Sequence, residues 1–285
     1  MSREKNEIKS GVILSYILIV VNTIYGLLIT PFILNYVGDT AYGVYKSVAS
    51  ISASLAVMDL GLGTTMTRYM ARYNATRDKE NAENFIGMVF VQFLFLLAVI
   101  VLIGICILFF LPELYDNTFS ANELVLAREL LAILLLNMIL RLFENLLFGI
   151  LNGYERFTFS NGFKLINVIL KFTLILIVLP FVKDIKMVVL LETVLVTVTI
   201  LIFIVYIRSR LKITPRLKKW DTLLFKESFG YTVLMFIQSI TVQFNGNVDN
   251  VLVGALQGAS FVTVYSMALT IFGMYENLSG SVANI

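Results

Sequence analysis

The chain has 285 residues, of which 58% are apolar and only 14% charged, with a mean hydropathy of +0.86. Soluble domains carry about 25% charged residues, so a water-enclosed core is excluded, and the length is that of repeated membrane crossings at roughly 20 residues each. The net charge of +3 is small for a nucleic-acid binder. One cysteine, Cys106, cannot form an internal disulfide, and the lack of histidine removes Cys/His metal centres as well as Ser-His-Asp and Cys-His catalysis.

Apolar stretches of spanning length fall at 11–36, 42–68, 85–111, 123–151, 161–182, 185–207, 228–249 and 252–280. The expected fold is therefore an all-α polytopic membrane protein with about eight transmembrane helices. The first stretch is too long for a signal-peptide core and has no small-x-small cleavage site, so it reads as a retained helix. Pro31 should kink it, and Pro112 and Pro180 should stop theirs.

Charge orients the spans. Alternate connections hold 16 of the 22 basic residues, in groups around Arg3 to Lys9, Arg68 to Lys79, Arg156 to Lys164 and Arg208 to Lys226. The intervening connections hold acids such as Asp39, Glu113, Asp116 and Asp184. This positive-inside alternation puts the N-terminus in the cytoplasm, in a multi-pass inner-membrane arrangement. The longest basic connection interleaves Trp220, Leu223, Leu224 and Phe225 with cations, as a helix lying in the headgroup plane would; a solvated linker is the alternative.

Polar residues inside spans are costly and tend to face a bundle interior. The second span carries Asp59 beside Gly61 and Gly63, which suits either a gating or coupling carboxylate or a packing pair with Arg68. The fourth carries Asn137, Arg141, Glu144 and Asn145 on one helical face, with Arg141 near mid-membrane and within reach of Glu144 at i, i+3. The fifth carries Lys164, Asn167 and Lys171 on another. Together they predict a cationic face suited to phosphate, or a purely structural ion network.

The seventh span ends in Gln243, Asn245, Asn247, Asp249 and Asn250, which suits sugar hydroxyls or a solvated helix end. Glu192 and Glu276 are isolated acids. Gly149-x-x-x-Gly153 and Gly254-x-x-x-Gly258 have helix-contact spacing, although turn glycines account for them equally. The segment Gly38 to Tyr45 is echoed by Gly258 to Tyr265, six spans later, as in a transporter built from parallel repeats. No nucleotide-binding loop or catalytic constellation is present, and no cofactor is implied.

Three places together resemble the bacterial polysaccharide (O-antigen type) flippases, relatives of lipid II flippases and multidrug extruders. They are Met58-Asp59-Leu60-Gly61-Leu62-Gly63 through Arg68-Tyr69 to Asp78-Lys79-Glu80, then Gly153-Tyr154-Glu155-Arg156-Phe157, then Asn247 to Gly254 leading to Tyr265-Ser266. The resemblance implies an alternating-access bundle of two six-helix lobes around a cationic cavity. Residues 1–208 would form the first lobe, 209–227 a cytoplasmic or interfacial linker, and 228–285 the first two helices of a second, so that the chain reads as C-terminally truncated. One position departs from the pattern, since Thr263 stands where the outer-loop pattern has its second glycine.

The implied substrate is undecaprenyl-pyrophosphate-linked oligosaccharide, flipped to the outer leaflet for surface polysaccharide synthesis among membrane lipids and other polysaccharide-assembly proteins. Arg141, Lys171 and Lys46, with Asn137 and Asn167, are the expected substrate-binding residues; Asp59 and Glu144 are the expected coupling or gating residues. A drug or metabolite antiporter of the same superfamily is the nearest alternative. A membrane glycan polymerase or ligase, or the non-transporting product of a split gene, are others.

Overall fold

The computed structural model describes residues 2–56, 61–222, 225–226, 230 and 248–283. Among the described residues the longer helices are α1 (Ser2–Val37), α2 (Asp39–Ala56), α3 (Leu62–Thr76), α4 (Lys79–Tyr115), α5 (Ala121–Gly153), α6 (Phe157–Val182), α7 (Ile185–Tyr206), α8 (Val248–Gln257) and α9 (Ala259–Ala283). Among the described residues there is no strand. Helices are what the bilayer demands, because hydrocarbon offers no partner for an open backbone group. Five of them, including all of α4, α5 and α6, are long and apolar enough to cross a membrane. Large apolar side chains such as Phe95, Phe109 and Phe181 point outward, as lipid contact requires. The protein is a multi-pass, all-α membrane protein.

Local chemistry sets several helix ends. Asp78 caps α4 by accepting from the Asn81 backbone N–H at 3.1 Å and from its amide at 2.6 Å. These bonds hold the Asp78 carboxyl below the usual carboxylate range. Ser120 and Glu123 form a reciprocal capping box at α5. Pro112 and Pro180 sit at helix ends as expected, each in the last turn: α4 ends at Tyr115 and α6 at Val182. A proline in a final turn frees one carbonyl and leaves the rest of the ladder intact. α1 runs as one helix through Pro31.

The second span is two helices, α2 and α3, with Gly61 in the left-handed region at φ 65° before α3. The last junction also differs from expectation. The turn falls at Gly258 (φ 87°), so α8, in the seventh expected span, runs to Gln257 and not to residue 249. Gly38 (φ 83°) makes the same one-residue turn between α1 and α2. Positive φ is what glycine alone adopts without strain, and it lets two antiparallel helices follow each other directly.

The two glycine pairs separate in role. A Cβ on Gly149 would lie 2.5 Å from the Gly63 carbonyl oxygen, and one on Gly153 would lie 2.4 Å from Met70 Cβ, so this pair is a helix contact between α5 and α3. In the other pair Gly258 is a turn, while Gly254 faces Ser47 on α2. Gly153→Val is expected to cost about 1–3 kcal/mol of stability by overpacking. Thermal unfolding in detergent measures it, and a variant melting with the parent would mean the crossing has spare room.

α5 lies at the centre and touches α2, α3, α4, α6 and α7. The buried apolar residues form two clusters, one at each end of the bundle. One gathers Met66, Phe85, Leu142, Leu146 and Phe203; the other gathers Tyr42, Tyr115, Leu130, Ile175 and Val188. On α5 the clusters divide between Leu131 and Met138, on α6 between Phe163 and Ile175, and on α7 between Val189 and Val196.

Candidate functional site

The gap between the two apolar clusters is filled by polar side chains. Asn137 and Arg141 come from α5, Asn167 and Lys171 from α6, and Glu192 and Thr193 from α7. Helical periodicity places the first four: offsets of four residues keep a pair on one face, so each helix turns its stripe toward the others.

Glu192 joins the stripes. One carboxylate oxygen pairs with the Arg141 guanidinium, and the other accepts from Lys171 Nζ at 2.5 Å. Asn137 is buried behind Arg141 and accepts from its Nε at 3.0 Å, while its own amide donates to Thr193 Oγ1 at 3.1 Å. Asn167 donates to Thr199 Oγ1 at 2.6 Å. The Lys171 ammonium also lies 5.5 Å from the centre of the Tyr25 ring on α1, and Lys164 lies 3.8 Å from that of Phe148. Every charge in this layer thus has a counter-charge or a π face, which a low-dielectric interior requires.

The layer is open on one side. A cavity of about 360 Å3 is lined by Asn22 and Tyr25 of α1, Arg141, Glu144 and Asn145 of α5, Lys164, Asn167 and Lys171 of α6, and Glu192 of α7. Three cations face two carboxylates, so its lining carries a formal charge of +1. Arg141 keeps 46% of its side chain exposed there despite its ion pair. A second cavity of about 490 Å3 shares Asn145, Phe148 and Lys164 with the first and adds Thr64, Thr67 and Arg68 of α3 and Asn152. A third, between α1 and α9, shares Asn22. The polar space therefore runs from mid-bundle toward the end that carries the basic connections.

Of the expected site residues, Arg141, Lys171, Asn167 and Glu144 line the cavity, and Asn137 stands behind it. The acid that Arg141 reaches is Glu192 on α7, not its neighbour Glu144, because the turn of α5 sends the guanidinium toward α7. Lys46 does not line the cavity; its ammonium sits 5.4 Å and 5.9 Å from the ring centres of Tyr42 and Tyr45 on its own helix. Asp59 lies outside the described residues, as do Gln243, Asn245 and Asn247. Asp249 and Asn250 are not a solvated helix end: Asp249 accepts from Tyr265 Oη at 2.7 Å, and buried Asn250 donates to Ser50 Oγ at 3.1 Å. Glu192 looked isolated because its partners are 21 and 51 residues away. Its signal was position alone, as the one acid inside the apolar helix α7.

A family model described as polysaccharide biosynthesis protein matches residues 8–284. A search of curated proteins by sequence returns no match. Among solved structures, the chain is similar to a MATE transporter in complex with MaL6, at 18% identity and a TM-score of 0.73, covering 96% of this chain and 61% of that one. It is similar also to a MOP superfamily transporter from Pyrococcus furiosus Vc1, at 19% identity and a TM-score of 0.66, covering 96% and 63%. An outward-facing MATE transporter of the MOP superfamily matches at 19% identity and a TM-score of 0.68, covering 94% and 63%. The likeness is one of fold, and the chain spans about three fifths of the length of these structures.

Proposed function

The chain belongs to the polysaccharide biosynthesis protein family, and on that premise we propose that it acts in flipping polyprenyl-pyrophosphate-linked oligosaccharide from the cytoplasmic to the outer leaflet of a bacterial inner membrane. The observation that carries this reading is the open cationic cavity at mid-bundle. Arg141 and Lys171 both pair with a single internal carboxylate, Glu192. A diphosphate offers the same oxygen chemistry with more charge, so it competes for both cations by exchanging one anion for another. The lipid tail stays in the bilayer while glycan hydroxyls meet Asn22, Asn145 and Asn167.

The reading includes two lobes, 1–208 and 228–285, joined by residues 209–227. The echo between Gly38 and Gly258 supports it. That 220-residue offset maps Asp39 onto Ala259 and Gly43 onto Thr263. The contact between α2 and α9 is reciprocal under this mapping, since Gly43 abuts Ala259 while Thr263 Oγ1 donates to the Asp39 carbonyl at 2.7 Å. An approximate two-fold between repeats has this signature.

Deleting the gene should make lipid-linked glycan accumulate on the cytoplasmic face, as read by protection from an externally added glycosidase. Accumulation on the outer face would place the defect after flipping and overturn the assignment.

A further inference from the structure

A fourth cavity, this one apolar, lies at the basic end of the bundle and shares no residue with the charged one at mid-bundle. It measures about 200 Å3 and is walled by Ile86 and Phe90 of α4, Phe143, Leu146 and Ile150 of α5, and Ile204 of α7. Its outer wall is the connection after α7. There the helix ends in a π-helical turn, Ile207–Leu211, and Lys212 adopts φ 57°, a conformation uncommon outside glycine. The chain then doubles back, placing Ile213 and Pro215 over the cavity.

Residues 212–221 of this strap have no regular secondary structure; of the stretch expected as a headgroup-plane helix, Leu223 and Leu224 lie outside the described residues, while the Phe225 N–H donates to the Asp221 carbonyl at 2.9 Å. The N-terminal turn of α4 takes up the strap's backbone groups. The Arg216 N–H donates to the Glu83 carbonyl at 3.0 Å, the Thr214 N–H to the Glu83 carboxylate at 3.2 Å, and the Lys218 and Lys219 N–H groups to Asn84 Oδ1. A Cβ on Gly87 would lie 2.8 Å from the Leu217 nitrogen, so that glycine is what lets the strap lie down.

Charge at the mouth is uneven. Of the five cations around the adjoining polar basin, Lys79 and Arg216 pair with Glu83, and Lys218 pairs with Glu80. Arg208, which lines both the basin and the apolar cavity, and Lys212 have no ion-pair partner among the described residues. A dry apolar cavity of about 150 Å3 already takes a benzene-sized molecule, so this one holds a segment of one hydrocarbon chain. Two uncompensated cations beside it call for an anionic headgroup.

We propose that this strap-covered cavity binds one acyl chain of a resident anionic phospholipid, whose phosphate sits at Arg208 and Lys212. The occupant is a bilayer lipid and not the transported species, because a phosphate held at Arg208 cannot reach Arg141 and Lys171 in a cavity that shares no wall with this one. The proposal stands independently of what the protein transports.

Native mass spectrometry of the purified full chain tests it, using mixed micelles of phosphatidylglycerol and phosphatidylcholine. The parent protein is expected to retain one phosphatidylglycerol at least about tenfold in preference, since each basic residue at a membrane surface favours anionic lipid. Arg208→Gln with Lys212→Gln, both exposed and outside the apolar clusters, should erase the preference while leaving the protein folded. Ile204→Phe should lower retention of either lipid by filling the cavity. Equal retention of the two lipids by the parent, or an unchanged preference in the double variant, overturns the proposal. So does displacement of phosphatidylglycerol by added polyprenyl diphosphate, which would give the cavity to the substrate.

Discussion

Replacing both Arg141 and Lys171 by alanine is expected to abolish export of lipid-linked glycan. Hydrogen bonds to charged groups contribute about 1.5–3 kcal/mol each, so losing two weakens diphosphate binding by roughly a hundredfold or more. The double variant also strands Glu192, whose two carboxylate oxygens are satisfied by these cations alone among the described residues. Breaking a buried pair costs about 3–5 kcal/mol, lessened here by the water of the cavity. A loss of export would then be ambiguous between misfolding and lost binding.

Adding Glu192→Gln removes that ambiguity. The triple variant has no stranded charge, so it should melt close to the parent and still fail to export. Glu192→Gln alone should do the reverse. It leaves Arg141 and Lys171 without their anion, lowers stability, and tightens binding of inorganic pyrophosphate as measured by titration calorimetry. Export by the triple variant at the parent rate would remove Arg141 and Lys171 from the substrate path.

The second large effect is expected at Gly43. A Cβ there would lie 1.8 Å from the carbonyl oxygen of Ala259 and 2.5 Å from its carbon, both backbone atoms that no rotamer change can move. Gly43→Val must push α2 away from the packed pair α8 and α9, breaking the Thr263 to Asp39 bond to α9 and the Asn250 to Ser50 bond to α8. The cost exceeds the roughly 1–3 kcal/mol of ordinary overpacking, because helix axes and not side chains must shift. The measurement is cross-linking of Ser50→Cys to Asn250→Cys with a short thiol reagent, in a Cys106→Ser background. The pair should link in high yield with Gly43 present and scarcely at all with valine. Equal yields would show that α2 does not meet the α8–α9 pair as described.

The site was half legible. Asn137, Arg141, Glu144, Asn167 and Lys171 were readable because a helix repeats every 3.6 residues, so a polar face is visible within one helix. Glu192 was not, because it is alone on its helix and acquires meaning only from two others. Lys46 shows the opposite error: a cation in a span looked like part of the cavity, yet its turn of α2 directs it to Tyr42 and Tyr45. The strap was not legible either: its Thr214, Lys218 and Lys219 N–H groups find their acceptors on Glu83 and Asn84, more than 130 residues earlier in the chain.

The sequence by itself determined the class and the material of the site: a multi-pass helical membrane protein, the rough position of its spans, and two polar faces inside them. These follow from length, hydropathy and helical period, all of which act within about 20 residues of chain. Only the tertiary structure decided that Glu192 closes the circuit between Arg141 and Lys171, that Gly43 and Gly149 are contacts while Gly38 and Gly258 are turns, and that residues 212–221 form a strap. Each of these depends on which helix lies against which, and neighbours in space are chosen by the packing of whole faces rather than by any local run of residues.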